Sequence, residues 1–177
     1  MIFMLIEEIM KEERETSMLT SVRQNHALEH ATIAILSRKV SIGTRMMGRS
    51  TWSGFYIYGD FSTELIAEAA REALARLQKG EAELAISPFC GTNLAVTGLL
   101  AGVFSIIAMG KENQIRRLPR VIFAGVIAAI VAQPAGRMAQ RYVTTSSNLA
   151  NVSITRITKR GRGARTLHKV ETAHRWD

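Results

Sequence analysis

The chain has 177 residues, a formal net charge of +8 and a single cysteine. This length allows one modest domain with a membrane element but not two independent globular domains, and one cysteine excludes an intrachain disulfide. The basic residues concentrate at 111–120 and 137–175, beside two apolar runs and without the interleaved aromatic series of a base-stacking platform. The charge therefore indicates a membrane surface as the partner, and no nucleic acid.

Residues 1–20 are predicted to form an N-terminal amphipathic helix. Ile2, Leu5, Ile6 and Ile9 fall on one side of it, and acidic residues follow the short apolar start. A signal peptide would instead carry basic residues before a longer apolar core, so we do not expect this segment to be cleaved.

The next helix is predicted to run from Val22 to about Ser37. Ser21 and Gln24 have the spacing of a capping box, and no glycine or proline interrupts the segment. This helix contains the pattern His-x-x-Glu-His at residues 26–30. The pattern is the most specific chemical signal in the chain.

His26 and His30 would stand one turn apart on one helical face, with Glu29 beside them. Two imidazoles at this spacing can bind one metal ion, and the carboxylate can act as a general base toward a metal-bound water. The alternative is a structural cluster in which the same three side chains form a buried hydrogen-bond network.

Residues 21–93 are predicted to form a small α+β domain. The stretch Phe55–Tyr58 has the composition of a strand, and Ser62 is expected to cap a helix that ends before Gly80. A second strand is predicted at Glu83–Ser87. The acidic residues of the intervening helix have the spacing of solvent-exposed ion pairs.

The segment Pro88–Asn93 is predicted to be a turn, and Cys90 lies at its centre. A transmembrane helical hairpin is predicted directly after it, over residues 94–136. Its two uncharged runs are Leu94–Met109 and Val121–Gly136. The first contains Gly98 and Gly102, a small-residue spacing that lets a partner helix or a second copy of the chain approach closely.

Residues 137–177 form a basic tail that is predicted to contain a β-hairpin able to join the sheet of the N-terminal domain. His168 and His174 lie in this hairpin and are expected to be strand or surface residues rather than ligands. The fold class is therefore α+β. We expect a multi-pass protein of the cytoplasmic membrane, with the N-terminal domain and the tail in the cytoplasm.

The segments Arg23–Thr32, Phe55–Gly59, Ala75–Glu81 and Pro88–Asn93 resemble an uncharacterised family of small bacterial membrane proteins. The family is known as a domain of unknown function and is seen in photosynthetic and related bacteria. The resemblance extends from about Val22 through the tail. It implies a cytoplasmic-membrane protein with a histidine-containing N-terminal helix and a Cys-Gly-Thr-Asn turn before the hairpin.

Two local resemblances suggest an activity. His26, Glu29 and His30 are similar to the inverzincin metallopeptidase motif, which requires a third, acidic ligand; Glu64, Glu68 and Glu72 are the candidates for it. A His, His, Cys ligand set with a helical Glu is similar to that of peptide deformylases, and Cys90 would then be the third ligand. Both resemblances imply a zinc-dependent or other divalent-metal-dependent hydrolase, and the alternative is a membrane scaffold protein without enzymatic activity.

Overall fold

The computed structural model describes residues 2–109 and 114–175, with side chains described from residue 15 onward except at 114–117 and 164. This part of the chain contains four α-helices: α1 (Ile2–Lys39), α2 (Thr63–Gln78), α3 (Gly91–Met109) and α4 (Gln114–Ala139). It also contains four strands: β1 (Met47–Thr51), β2 (Gly54–Tyr58), β3 (Val152–Arg160) and β4 (Leu167–His174). The chain divides into two compact units, Met1–Ile86 with Thr145–Asp177, and Ser87–Thr144.

The first unit is built on one antiparallel sheet with the strand order β1-β2-β4-β3. Phe55 of β2 pairs with Val170 of β4, so the C-terminal hairpin extends the N-terminal sheet as predicted. Helices α1 and α2 pack together and against the strands. Their buried core includes the following fully covered side chains: Leu28, Ile35, Phe55, Ile57, Ile66 and Val170. The predicted α+β fold is confirmed.

Helix α2 forms as its sequence predicts. The Ser62 side chain accepts a hydrogen bond from the backbone N–H of Leu65, which satisfies one of the free donors of the first turn. Gly80 follows the helix with a φ of 92°, a conformation that glycine adopts without strain. The face directed at the core carries Ile66, Ala69, Ala70, Ala73 and Leu77.

Helix α1 does not begin at Ser21, which corrects the predicted boundary. The helix is continuous from Ile2, and the Ser21 hydroxyl donates to the backbone oxygen of Ser17 one turn earlier, 2.9 Å away. A serine that bonds back to its own helix provides no N-cap. The predicted amphipathic face at Ile2–Ile9 involves side chains that lie outside the described residues.

The predicted strand Glu83–Ser87 is also wrong, because residues Ala82–Ala85 form a 3-10 helix. Strand β2 pairs with β1 on one side and with β4 on the other, so the sheet offers this segment no place beside β2. The strand that does pair with β2 from the N-terminal side, β1, was not predicted. Its sequence, Met-Gly-Arg-Ser-Thr, shows little of the alternation or β-branched composition of a typical strand.

The second unit consists of α3, α4 and a short π-helical segment, Gln140–Thr144. The segments Gly91–Met109 and Leu118–Thr144 are long and apolar enough to cross a membrane by length and composition. A side chain added at Gly98 or Gly102 would meet no described atom within 4 Å, so the contact between α3 and α4 does not use these glycines. Close approach occurs instead at Gly136, where an added Cβ would overlap the Asn93 side chain.

His168 lies in a strand, as expected, but it is fully buried rather than at the surface. Its Nε2 is 3.4 Å from the Thr63 hydroxyl, and its Nδ1 has no hydrogen-bond partner among the described residues. Burial, reinforced by the positive charge of Lys159, lowers the pKa of His168, and burial likewise lowers the pKa of His174. Both imidazoles therefore bind a proton more weakly in the folded chain than in the unfolded chain.

We expect the protein to lose stability as the pH falls from about 7.5 to about 5.5, through the ordinary histidine pKa of about 6.5. Above that value the stabilising contribution of the two neutral histidines is complete, and acidification removes it. The melting temperature should therefore be lower at the acidic pH, and this difference should shrink in H168Q and in H174Q. The pKa values of Glu72, Glu81 and Glu171 are also lowered, but these carboxylates affect the stability only below the ordinary glutamate pKa of 4.5, outside the pH range from about 7.5 to about 5.5. An unchanged pH dependence in both variants would contradict the prediction.

Candidate metal centre

Two polar side chains hold the motif segment of α1 against the sheet. Asn25 donates from Nδ2 to the backbone oxygen of Thr51 at 2.9 Å and accepts from the Thr172 hydroxyl at 2.8 Å. Gln24 donates to the backbone oxygen of Asn148 at 2.7 Å. Because both are buried, these bonds fix the rotation of the helix and therefore the direction of the side chains that follow.

His30 is buried, and its tautomer is determined by its partner. Its Nδ1 lies 2.7 Å from the backbone oxygen of Ala85, in the 3-10 helix that follows α2. A carbonyl oxygen only accepts hydrogen bonds, so Nδ1 must carry the proton and donate it. In the neutral ring the lone pair then resides on Nε2, which is the arrangement that metal-binding histidines commonly adopt.

His26 is half-buried and lies against His30, with ring centroids 4.3 Å apart and an interplanar angle of 60°. His26, His30 and Cys90 are the candidate ligands that the sequence nominated, and we call them the ligand group. Such a group could hold a metal ion.

Cys90 is buried in the turn that precedes α3 and forms no disulfide. The backbone N–H of Thr92 points at its sulfur across 3.4 Å. An N–H donor and the positive end of a helix both stabilise negative charge on sulfur, and the thiolate is the form of cysteine that binds metals. The local environment of Cys90 therefore suits a ligand better than an inert apolar side chain.

Glu29 is buried beside strand β1. The Ser50 hydroxyl donates a hydrogen bond to its Oε2, and a Cβ at Gly48 would overlap the carboxylate. Because Gly48 has no side chain, the Glu29 carboxylate can occupy the space beside it. The hydrogen bond from Ser50 orients the carboxylate. Glu29 is not part of the ligand group, although it is adjacent to His30 in the helix. Its carboxylate is therefore not a candidate metal ligand.

The acidic residues of α2 are not part of the group formed by the described residues. Lys39 binds Glu68 at 2.7 Å and Glu72 at 3.0 Å, and these hydrogen bonds raise the pKa of Lys39, with the Glu68 bond the larger cause. Glu64 is exposed. Glu72 also pairs with Arg76 one turn along the helix at 3.6 Å, so the expected surface ion pairs of this helix are confirmed.

Sequence reasoning missed the residue that holds the Cys90 turn in place. Gln140 is buried in the π-helical segment, where its Oε1 accepts from the backbone N–H of Ser87 at 2.8 Å. Its Nε2 donates to the backbone oxygen of Ser87 at 3.0 Å and to Asn93 Oδ1 at 2.9 Å. Asn93 in turn donates to the backbone oxygen of Pro88 at 2.9 Å. These bonds, which we call the Asn93–Gln140 clamp, tie both sides of the turn to the end of α4.

Comparison with known proteins gives two matches. A family model described as a domain of unknown function (DUF6391) matches residues 21–157, a range that contains all four candidate site residues. An uncharacterized protein of Picosynechococcus sp. (strain PCC 7002) is 34% identical over 138 residues, which cover 72% of this chain and 67% of that protein. No solved structure gives a significant match.

Proposed function

This chain belongs to the family described as a domain of unknown function (DUF6391), and we propose that it is a membrane-anchored, metal-dependent hydrolase of the peptidase or amidase type. His26, His30 and Cys90 would bind zinc or another divalent transition metal, and Glu29 would act as the general base. The observation that carries the proposal is the pair of adjacent imidazoles of His26 and His30, whose ring centroids lie 4.3 Å apart, with the bond of His30 Nδ1 to Ala85 leaving Nε2 able to bind a metal. Imidazole and thiolate ligands suit zinc in particular.

The chemistry of the group is that of a catalytic site. Three protein ligands leave a fourth coordination position for water, whereas structural zinc sites use four protein ligands. Zinc in such a site lowers the pKa of a bound water and polarises a carbonyl oxygen of the substrate. Glu29 would accept the proton of the attacking water and pass it to the leaving nitrogen, with its carboxylate oriented by the hydrogen bond from Ser50.

The location that fits this function is the cytoplasmic membrane. Helices α3 and α4 have the length and composition of membrane spans, and apolar side chains cover most of their exposed surface. The basic tail and the presence of a single cysteine favour a cytoplasmic position for the N-terminal region and the tail. Membrane lipid is then the partner of both helices.

A scaffold protein without enzymatic activity is the second candidate. It is favoured by the bonds of His30 to Ala85 and of Ser50 to Glu29, which on this view would serve only to stabilise α1 against its neighbours. The open positions at Gly98 and Gly102 would then accept a partner helix or a second copy of the chain. The two candidates differ in whether the protein binds a metal.

We expect protein purified in detergent to retain about one equivalent of a divalent transition metal after dialysis, measured by elemental analysis. The H26A and C90S variants should lose most of this metal while keeping their secondary structure, because each removes one of only three protein ligands. The matched control is H174Q, since His174 bonds to Gln24 and Thr172 and is not part of the ligand group. Metal-free wild type whose stability equals that of H26A would contradict the proposal and favour the scaffold.

A further inference from the structure

The end of the helical hairpin that contains Cys90 has the composition of a membrane interface. Phe89 immediately precedes Cys90 and is 96% exposed, and Tyr142 in the π-helical segment is 67% exposed. Arg137 and Arg141, in the last turns of the same helical stretch, are also exposed. Aromatic rings and arginines at the ends of apolar helices are typical of the headgroup region of a bilayer.

The length of α3 fixes the depth of this end. Its 19 residues rise by about 28 Å, nearly the thickness of a hydrocarbon core of about 30 Å. Leu94, Leu99 and Ile106 along the helix are 76%, 68% and 73% exposed, so apolar side chains cover the whole span. In a membrane, a helix of this length would have Gly91 near one boundary of the hydrocarbon core and Met109 near the other.

The Asn93–Gln140 clamp holds Cys90 at this end of the hairpin. Gln140, at the end of the hairpin, bonds to Ser87 on one side of the turn and to Asn93 on the other. Asn93 also bonds across the turn to Pro88. Cys90 lies between these fixed points, and its backbone oxygen accepts a hydrogen bond from the N–H of Asn93 at 3.0 Å. The thiol cannot move away from the hairpin end without breaking several hydrogen bonds, of which the one between Gln140 and Asn93 is buried and the others are partly buried.

We infer that the Cys90 sulfur lies at the boundary between the bilayer and water, and that the substrate is an amide on a bilayer-associated molecule, such as an acylated or membrane-embedded peptide. The substrate class rests on the proposed hydrolase, because it follows from the depth of a metal ligand. A site at this level receives water from one side and lipid-anchored chains from the other. Substrates confined to water reach it only by first entering the headgroup layer.

The depth is tested with a single tryptophan in the full-length chain. F89W is made in a W52F/W176F background and reconstituted in vesicles of phosphatidylcholine and phosphatidylglycerol that contain brominated lipids. We expect lipids with bromine near the headgroups to quench the fluorescence several times more strongly than lipids with bromine at the bilayer midplane. L99W is the matched control, because Leu99 lies near the middle of α3 and should show the opposite order. Absence of quenching in F89W, or the same order as in L99W, would overturn the inferred depth.

The substrate class is tested with two metal-binding probes that share a hydroxamate group, acetohydroxamate and myristoyl hydroxamate. They are titrated into vesicle-bound protein carrying cobalt, whose visible spectrum reports on ligands. We expect myristoyl hydroxamate to act at a concentration at least about tenfold lower, because a single such chain partitions into bilayers with a constant on the order of 10⁴ M⁻¹. Equal potency would overturn the inferred substrate class. Failure of the proposed function would differ, since no cobalt would bind, and the quenching result would still decide the depth.

Discussion

The E29Q variant is expected to hydrolyse the amide substrates of the wild type about 10²- to 10⁴-fold more slowly, the usual contribution of a general base. Its metal content should stay at the wild-type level, because Glu29 is not in the ligand group. Glutamine has the same shape as glutamate, and its amide oxygen can still accept the hydrogen bond from Ser50. The variant therefore removes the proton acceptor while keeping the space beside Gly48 filled.

The control for this experiment is E64Q, which makes the same chemical change at an exposed position of α2. It should retain full activity and full metal content. Rates would be compared with elemental analysis on the same samples, so that loss of catalysis is separated from loss of metal. Wild-type activity in E29Q would exclude Glu29 as the base, and simultaneous loss of metal and activity would assign it a structural role.

Patterns that act over a few residues predicted their structures correctly. The Ser62 cap and Gly80 delimit α2, and the alternation in the tail produces β3 and β4. The four-residue spacing of His26 and His30 places two rings 4.3 Å apart. In each case the determining interactions lie within one turn of helix or one strand, so the local sequence is sufficient to predict the local structure.

The incorrect predictions concern interactions between distant segments. Residues 83–87 were assigned to a strand, yet residues 82–85 form a 3-10 helix, and β4, some 80 residues later, occupies the free edge of β2. The carbonyl of Ala85 bonds to His30 instead, which no local pattern encodes. Gln140 was missed for the same reason, since its partner Asn93 is 47 residues away and the surrounding sequence is typical of a basic membrane flank.

The nomination of Cys90 had a different basis. No local pattern joins it to the motif helix. It was chosen because it is the one thiol of the chain, lies at the centre of a predicted turn, and would complete a ligand set similar to that of peptide deformylases. The structure adds what the sequence lacked: the Thr92 N–H directed at the sulfur and the clamp that fixes the turn. The sequence could therefore nominate a candidate ligand, whereas it did not reveal the residues that position its turn.

The Q140L variant is expected to destabilise the second unit by roughly 2–5 kcal/mol. Leucine provides neither an acceptor for the backbone N–H of Ser87 nor a donor for Asn93 Oδ1, and each buried polar group left without its partner costs about 1–3 kcal/mol. The loss should appear as a lower midpoint of thermal unfolding in detergent, followed by circular dichroism. Metal affinity should also fall, by about 10- to 100-fold, because residues that orient a ligand typically contribute that much.

Q133L is the matched control, since it makes the same substitution on α4 at an exposed position. It should change the stability by no more than about 0.5 kcal/mol, as exposed substitutions usually do, and should leave metal affinity unchanged. If Q140L unfolds at the same temperature as Q133L, the clamp does not stabilise the turn. If Q140L is destabilised but binds metal as tightly as Q133L, the clamp holds the hairpin end together without positioning Cys90, and the inferred depth of the thiol loses one of its supports.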